Sequence, residues 1–458
     1  MHLPLNLLNS LEGVKGFDKE AFVQVHESGG QVTSIRINPF KLANVKSETP
    51  NDLSSHVSRF TSHDNIPWTD NGYYLPSRPS FTFDPLFHAG CYYVQEASSM
   101  FLEQALKQSI DLLKPLKVLD LCAAPGGKST HLLSLISKDS LLVSNEVIRS
   151  RANILNDNII KWGCSNVVVT NNDPRDLQRL ENYFDVIVVD APCSGSGLFR
   201  RDPEAIEEWS EQNVALCSQR QQRILADVLP ALKNGGVLIY STCSYSNQED
   251  EEICNWLINE LGVEGLKLKV EEEWNIVESE GGYRFWPDKL KGEGFFIGCF
   301  KKTDGNTEET TLPKTKKEKI SNKELILLNN YVSSEELEFF RDDRAIVAVP
   351  ERLAADISFL RSNLKVVNYG TRVGEIMKNK LVPDHALSMS HFINKGIQSV
   401  ELNYDNAIHY LKRKEIKIET ELKGWTLVKH LGHPLGWINI LPNRVNNYYP
   451  KELRILKD

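Results

Sequence analysis

VLDLCAAPGGK, residues 118–128, is the stretch of sequence that decides the fold. Its first part, Val118 to Leu121, is apolar apart from one aspartate and predicts a short buried strand. Cys122 to Lys128 then predict a glycine turn that opens a helix, because glycine lets backbone approach a ligand without a Cβ clash. The turn matches neither G-x-G-x-x-G nor G-x-x-x-x-G-K-[ST], so it does not indicate a phosphate cradle. A strand that enters a helix through such a turn is typical of an α/β sheet.

Apolar, β-branched runs recur after this stretch and alternate with helical patterns. The predicted strands run from Val118 to Leu121, Leu141 to Val143, Val167 to Val169, Phe184 to Val189 and Gly236 to Tyr240. The clearest predicted helices run from Arg151 to Trp162 and from Glu211 to Leu232. Short apolar strands separated by helices predict a parallel sheet covered on both faces. Two further runs, Tyr283 to Trp286 and Gly294 to Lys302, predict a hairpin of antiparallel strands at the sheet edge.

Two cysteines stand at the tips of neighbouring predicted strands. Cys193 lies in DAPCSG directly after the fourth run, and Cys243 lies in STCS directly after the fifth. Open α/β sheets bind ligands at the carboxyl ends of their strands. The two thiols and the glycine turn should therefore face one crevice, which favours covalent catalysis on an electrophilic ring over a structural role.

Acidic residues also close successive strands of the predicted sheet. Glu146 follows the second strand, Asp173 the third and Asp190 the fourth. A carboxylate after the second strand can accept both ribose hydroxyls of an adenosine, and one after the third can accept the adenine amino group. Acids around the crevice disfavour a pyrophosphate and suit a sulfonium cation. The sequence therefore predicts S-adenosyl-L-methionine as the cofactor.

Bulk properties exclude several other classes of protein. No apolar run reaches the roughly 18 residues that a membrane helix needs, and the N-terminus has no charged segment followed by an apolar one. The eight cysteines contain no C-x-x-C pair and no His-x-x-x-His lies nearby, so we expect no zinc or other metal. Free thiols in a chain without a secretion signal predict a reducing, cytoplasmic location.

Charge is distributed unevenly along the chain. The net charge is −8, yet residues 361–458 hold 16 basic against 9 acidic side chains. A basic end on an acidic protein indicates binding to a polyanion such as RNA, although a solvated basic face without a partner is an alternative. We divide the chain into an N-terminal RNA-binding domain (1–110), a catalytic domain (111–303), a linker (304–323) and a C-terminal RNA-binding region (324–458).

Six motifs, taken together in order, resemble the Sun (RsmB/RsmF-type) family of RNA 5-methylcytosine methyltransferases. They are YYVQEASSM (92–100), CAAPGGK (122–128), NE (145–146), ND (172–173), DAPCSGSG (190–197) and STCS (241–244). The resemblance implies a Rossmann-like class I methyltransferase sheet, a small N-terminal α/β domain and a C-terminal β-rich PUA-like domain. It also implies a cofactor site formed by Cys122, Ala123, Ala124, Pro125, Gly126, Gly127, Lys128, Glu146, Arg151, Asp173 and Asp190.

The family resemblance also assigns chemical roles. It makes Cys243 the nucleophile that adds to carbon 6 of cytosine and Cys193 the residue that assists product release. DNA cytosine methyltransferases instead use the cysteine of the Pro-Cys motif, here Cys193, and the residues alone do not decide between the two. An acid near ring nitrogen 3 would stabilise the charge that develops, and Asp190 is the candidate; to donate a proton it needs a raised pKa.

The implied function is methylation of carbon 5 of a cytosine in small-subunit ribosomal RNA by a monomeric enzyme. The same chemistry on tRNA and a non-catalytic role in ribosome assembly are the alternatives. Arg200 and Arg201 could hold an RNA phosphate or form a helix entry. In the C-terminal region, His385 and Trp437 could stack on a base or belong to the core, and Lys412 to Lys414 could contact RNA or end a helix.

Overall fold

The computed structural model describes residues 3–42, 63–303, 320–333 and 336–457. Most of the predicted linker, residues 304–319, lies outside the described residues. α-Helices in the described chain span Leu5–Ser10, Lys19–Glu27, Pro39–Leu42, Pro85–His88, Leu102–Ser109, Gly127–Leu135, Arg149–Trp162, Ala205–Glu208, Glu211–Val228, Glu251–Leu261, Asn322–Asn329, Ala354–Asn363, His385–Met389 and Tyr404–Leu411.

A mixed sheet forms the centre of the molecule. Its strands in the described chain are β1 (Lys117–Asp120), β2 (Leu141–Asn145), β3 (Val167–Thr170), β4 (Phe184–Asp190), β5 (Leu232–Thr242), β6 (Val263–Gly265), β7 (Val277–Ser279), β8 (Gly282–Phe285), β9 (Phe295–Lys302) and β10 (Val366–Tyr369). They are ordered β7-β8-β9-β5-β4-β1-β2-β3-β10, with β6 paired to β9. The strands β3, β2, β1, β4 and β5 are parallel, and β8 and β9 form the predicted antiparallel hairpin. The fold prediction is confirmed.

Both faces of this sheet are covered, as its continuous apolar strands require. Along β1, Val118 packs into one hydrophobic core and Leu119 into the other, and both are fully buried. The chain order reverses between β1 and β4, since β1 lies between β2 and β4. Ligands of open α/β sheets bind at such a switch point, outside the carboxyl ends of the strands.

The N-terminal part contains an antiparallel sheet of Thr33–Ile37, Gly72–Leu75 and Tyr92–Val94 in the described residues. Arg36 extends from this sheet onto the helix Gly127–Leu135 and is fully buried. It donates to Thr130 Oγ1 at 2.6 Å and to Gln95 Oε1 at 2.8 Å, and its guanidinium lies 4.6 Å from the ring centroid of Trp162. The N-terminal part is thereby attached to the helix that follows the glycine turn.

The C-terminal part is β-rich and contributes to three sheets. Among the described residues, one four-stranded sheet joins Leu337–Asp342, Ala345–Pro350, Thr371–Met377 and Lys380–Pro383, and another joins Ser399–Glu401, Gly424–His430, His433–Leu441 and Arg444–Asn447. Between them in the chain, β10 pairs antiparallel with β3 at the edge of the central sheet. Residues beyond the predicted linker therefore complete the central sheet, which local sequence patterns did not predict.

No helix in the described ranges is both long and apolar enough to span a bilayer.

Candidate active site

The two cysteines predicted to share a crevice lie side by side. Cys193 follows β4 and Cys243 follows β5 directly. These strands are parallel neighbours in which Asp190 is paired with Ser241, so the two loops leave the same edge of the sheet. The sulfur atoms are 3.0 Å apart, and both thiols are partly exposed.

A close backbone approach holds the two loops together. Gly197 N donates to Cys243 O at 2.8 Å, and Gly294 N donates to Gly197 O at 3.3 Å. A Cβ atom on Gly197 would lie 2.5 Å from Gly294 O and 2.7 Å from Cys243 O. Only glycine leaves room for this contact, so the DAPCSGSG motif needs a glycine at this position to bring its cysteine against the second loop.

The two thiols differ in their surroundings. The hydrogen bond to Cys243, burial and the nearby carboxylate of Glu249 raise the pKa of Cys193 well above its usual range. This raised pKa favours the protonated form of the Cys193 thiol, which lies next to the sulfur of Cys243. Such an arrangement suits a pair in which one sulfur reacts as the thiolate and the other stays protonated.

Asp190 lies beside the thiols and is held by two partners. Its Oδ2 is 2.8 Å from Lys128 Nζ, and its Oδ1 accepts a hydrogen bond from Ser241 Oγ at 2.8 Å. Burial lowers the pKa of Lys128, but Asp190 and other nearby acids more than offset this and raise it above the ordinary value. The last residue of the glycine turn and the aspartate of the catalytic loop thus form one ion pair at the mouth of the crevice.

The glycine turn adopts a conformation that its sequence requires. Gly126 has a φ of 114°, in the region that favours glycine, and precedes the helix Gly127–Leu135. Arg151 Nη2 donates to Ala124 O at 2.9 Å, and Asn158 Nδ2 donates to Pro125 O at 2.7 Å. The carbonyl groups of the turn are therefore tied to the helix Arg149–Trp162, which places the turn at the end of β1.

Acids predicted to hold a cofactor lie at the ends of β2 and β3. Glu146 is buried and its Oε2 is 3.3 Å from Arg151 Nη1. Asp173 is exposed and its Oδ1 accepts a hydrogen bond from Arg175 N at 3.1 Å. Asn145 joins the strand ends, because its Nδ2 donates to Leu121 O and Asn172 O.

Asp120 belongs to the same group of acids, although the sequence analysis did not select it. It ends β1 at the switch point and is fully buried. Its Oδ2 accepts from Ser129 Oγ at 2.6 Å, whereas Oδ1 has no hydrogen-bond partner among the described residues. Burial raises the pKa of Asp120 to about 7. Its position in the sequence could have identified it, because Asp120 is the last residue of β1 and the other acids likewise lie at the ends of their strands.

Other residues singled out from the sequence lie outside the crevice. Arg200, one of the two residues for which phosphate binding and a helix-entry role were left as alternatives, is buried and donates to Gly292 O and Gly30 O, while Arg201 is exposed. Trp437 is a core residue whose Nε1 donates to Asp384 O at 2.9 Å. The remaining cysteines without a predicted role are buried, at positions 91, 164, 217, 254 and 299.

Three parts of the chain match models of known protein families. Residues 110–301 match the model of 16S rRNA methyltransferase RsmB/F, residues 3–97 match the N-terminal domain of 16S rRNA methyltransferase RsmF, and residues 397–455 match the methyltransferase RsmF PUA domain. A ribosomal RNA small subunit methyltransferase F from Aliivibrio fischeri is 31% identical over 411 residues, which are 85% of each chain. The chain belongs to the RsmB/F methyltransferase family.

Further relatives support membership of this family. A ribosomal RNA small subunit methyltransferase F from Shewanella piezotolerans is 29% identical over 442 residues, covering 92% of this chain and 90% of the relative. The crystal structure of a methyltransferase homolog protein from Pyrococcus horikoshii is 28% identical with a TM-score of 0.51 and covers 66% of this chain and 100% of that one. The family assignment from the sequence is confirmed, and the enzyme is a methyltransferase of the S-adenosylmethionine-dependent type.

Proposed function

We propose that this enzyme methylates carbon 5 of a cytosine in small-subunit ribosomal RNA through a covalent adduct with Cys243. The observation that carries the proposal is the pair of thiols, 3.0 Å apart at the sheet edge where the glycine turn ends. One thiol in such a crevice fits several kinds of chemistry, whereas two adjacent thiols fit a reaction in which a sulfur must both attack and leave. The names of the relatives supply the RNA class.

The residues around the switch point fit S-adenosyl-L-methionine. Asp120 offers a buried carboxylate oxygen without a partner among the described residues, and Glu146, Asp173 and Asp190 add further carboxylates along the same edge. We assign Cys122 to Lys128 as the backbone cradle and Arg151 as the residue that holds the cradle to Glu146. When bound, this cofactor supplies a methyl group on a positively charged sulfur, which the surrounding acids stabilise.

Cys243 is the attacking group in our proposal. Addition of its thiolate to carbon 6 forms a carbon–sulfur bond and makes carbon 5 nucleophilic, which divides one difficult step into two easier ones. Cys193 keeps its proton beside this sulfur, which fits a thiol that assists the later stage better than one that attacks. After methylation, carbon 5 loses its proton to a base, the carbon–sulfur bond breaks and the ring is restored; we assign assistance of this release to Cys193.

Asp190 and Lys128 would act on the edge of the pyrimidine ring that carries nitrogen 3, whereas the thiol acts on carbon 6. Addition of a sulfur to carbon 6 places negative charge on ring nitrogen 3 and the adjacent carbonyl oxygen. Asp190 can hold the ring amino edge, and the ammonium of Lys128, 2.8 Å from that carboxylate, can stabilise the developing charge. From the sequence, stabilisation of this charge was assigned to Asp190 alone. The ion pair adds the positively charged side chain of Lys128.

The flanking parts of the chain would hold the RNA. We assign RNA binding to the N-terminal domain (1–110), as the family resemblance implies, and to the C-terminal region (324–458), whose residues 361–458 hold 16 basic against 9 acidic side chains; lysine and arginine attract phosphates. The target cytosine must be unpaired or flipped out, since a duplex hides its carbon 6. We further propose that the enzyme is a monomer and acts in the cytoplasm, where small ribosomal subunits are assembled.

Methyl transfer into separated RNA pools tests the proposal. Purified protein is incubated with labelled S-adenosylmethionine and small ribosomal subunits, naked ribosomal RNA or tRNA, and the nucleosides are identified by mass spectrometry. We expect 5-methylcytidine in small-subunit RNA, its loss in Cys243→Ser and its retention in Cys164→Ala, which removes a thiol outside the crevice. Label confined to tRNA would overturn the substrate, and cofactor binding without transfer would favour a non-catalytic assembly factor.

A further inference from the structure

A buried carboxylate lies between the two thiol loops and contacts both. Glu249 has no exposed surface. Its Oε1 accepts from Ser194 N at 2.8 Å, and its Oε2 accepts from Ser194 Oγ at 2.5 Å and from Ser244 Oγ at 2.7 Å. These serines directly follow Cys193 and Cys243 in the chain. One side chain therefore receives hydrogen bonds from the residue next to each thiol.

One further hydrogen bond holds this carboxylate, and another holds the backbone carbonyl of the same residue. Gln221 Nε2 donates to Glu249 Oε1 at 3.2 Å and also to Pro192 O at 3.0 Å, next to Cys193. Tyr240, on β5, donates its hydroxyl to Glu249 O at 2.6 Å. Burial raises the pKa of Glu249 above its ordinary value, and the hydrogen bonds from Ser194, Ser244 and Gln221 oppose that rise because they favour the ionised carboxylate.

We propose that Glu249 is the positioning residue of the reaction: its carboxylate accepts hydrogen bonds from both thiol loops and holds Cys193 and Cys243 in register. The catalytic part of this inference rests on the proposed function, whereas the part that concerns the reactivity of the two thiols does not. The backbone hydrogen bond from Gly197 to Cys243 joins the two loops at one point, and a carboxylate shared by both loops couples their positions at a second. A negative charge beside Cys193 also disfavours a thiolate there.

Other charged groups also lie around the two thiol loops. Lys128 and Asp190 form their ion pair at the mouth of the crevice and Lys128 interacts with Cys243. Asp250 lies beyond Glu249 and is paired with Arg284 at 3.2 Å. Among these groups, Glu249 is the carboxylate that acts on Cys193, whose pKa it raises together with burial and the hydrogen bond to Cys243.

Site-resolved alkylation tests the thiol chemistry without any RNA. The protein is treated with limiting iodoacetamide across pH 6 to 10, and the modified cysteines are quantified by peptide mass spectrometry. In the wild type we expect Cys243 to react before Cys193. Glu249→Gln keeps the side-chain length and removes the charge. In this variant the fraction of alkylation found on Cys193 should rise, and the pH dependence of Cys193 alkylation should shift to lower pH. The exposed neighbour Glu252→Gln is the matched control and should behave as the wild type.

Kinetics provide the second measurement. Misplacing reacting groups by about 1 Å costs on the order of 10²-fold in rate, so Glu249→Gln should lower kcat by about that factor and leave KM for RNA nearly unchanged. The inference would be overturned if folded Glu249→Gln protein showed the same division of alkylation between Cys193 and Cys243, and the same pH dependence, as the wild type. Failure of methyl transfer in the wild type, with the alkylation shift present, would overturn the proposed function and leave this assignment standing.

A pair of milder variants decides the question if Glu249→Gln does not fold. Ser194→Ala and Ser244→Ala each remove one hydroxyl donor and keep the carboxylate. Because both hydroxyls act through Glu249, we expect the double variant to lose less activity than the product of the two single losses. Strictly multiplicative losses would show that the two loops are positioned independently and would overturn the inference.

Discussion

Replacing Gly197 by alanine tests whether the contact between the two loops sets the geometry of the thiols. The added Cβ would lie 2.5 Å from Gly294 O and 2.7 Å from Cys243 O, whereas ordinary contacts begin at 3.4 Å. Both obstacles are backbone atoms and cannot rotate away. To reach 3.4 Å, the carbonyl oxygen of Cys243 must retreat by about 0.7 Å and that of Gly294 by about 0.9 Å, and a displacement approaching 1 Å costs up to about 10²-fold in rate.

Methyl transfer from labelled cofactor into RNA, under saturating RNA, measures this loss in kcat. Gly265→Ala is the matched control, because the nearest atom to its Cβ would be Ile258 Cδ1 at 3.7 Å; its rate should equal that of the wild type. Thermal unfolding and cofactor binding show whether Gly197→Ala remains folded. A folded Gly197→Ala protein with wild-type kcat would refute the idea that this backbone contact positions Cys243.

Three further perturbations have expected outcomes. Arg36→Met leaves buried acceptors such as Thr130 Oγ1 without their donor, and should lower the free energy of unfolding by about 1–3 kcal/mol in urea titrations; an unchanged midpoint and slope would contradict this. Diamide, a two-electron oxidant, should inactivate the enzyme by joining Cys193 and Cys243 in a disulfide with loss of two protons, and dithiothreitol should reverse it; irreversible loss would count against the 3.0 Å separation. Burial lowers the pKa of several histidines to about 4, so the unfolded chain binds more protons than the folded chain between pH 6.5 and 4, and the melting temperature should fall as the pH falls through that window. Buried acids oppose the trend because burial raises their pKa, to about 7 for Asp120 and Glu293 and in the same direction for Asp157, Glu249, Asp250 and Asp384. A higher melting temperature at pH 4.5 than at 6.5 would contradict the prediction. These histidines are His26, His88, His131, His391 and His433.

Local patterns predicted the centre of the fold well because its strands are buried on both faces. The predicted strand from Phe184 to Val189 is β4, Phe184–Asp190, and the run from Gly236 to Tyr240 lies within β5, Leu232–Thr242. The strand β10 was missed because its partner, β3, is about two hundred residues earlier in the chain. Nothing in a short, half-buried segment shows which distant edge it will join.

The site was predicted to the extent that its residues follow strands. Cys193, Cys243 and Asp190 could be placed from their positions after β4 and β5, since neighbouring parallel strands end at one edge. Glu249 was missed because it lies in a turn after the second cysteine loop and reads as one acid in an exposed acidic run. The role of Arg200 stayed open between two alternatives because nothing in the sequence shows that a charged side chain will be buried against backbone carbonyls.

The position of the covalent bond between protein and RNA is the most direct test of the central claim. Cys193→Ala protein is incubated with RNA and S-adenosylmethionine, the denatured adduct is digested with protease and nuclease, and the modified peptide is sequenced by mass spectrometry. We predict a methylated cytidine attached to the sulfur of Cys243, with no adduct in the Cys193→Ala/Cys243→Ser double variant. Attachment to any other residue, or adduct formation by Cys243→Ser alone through Cys193, would contradict the account.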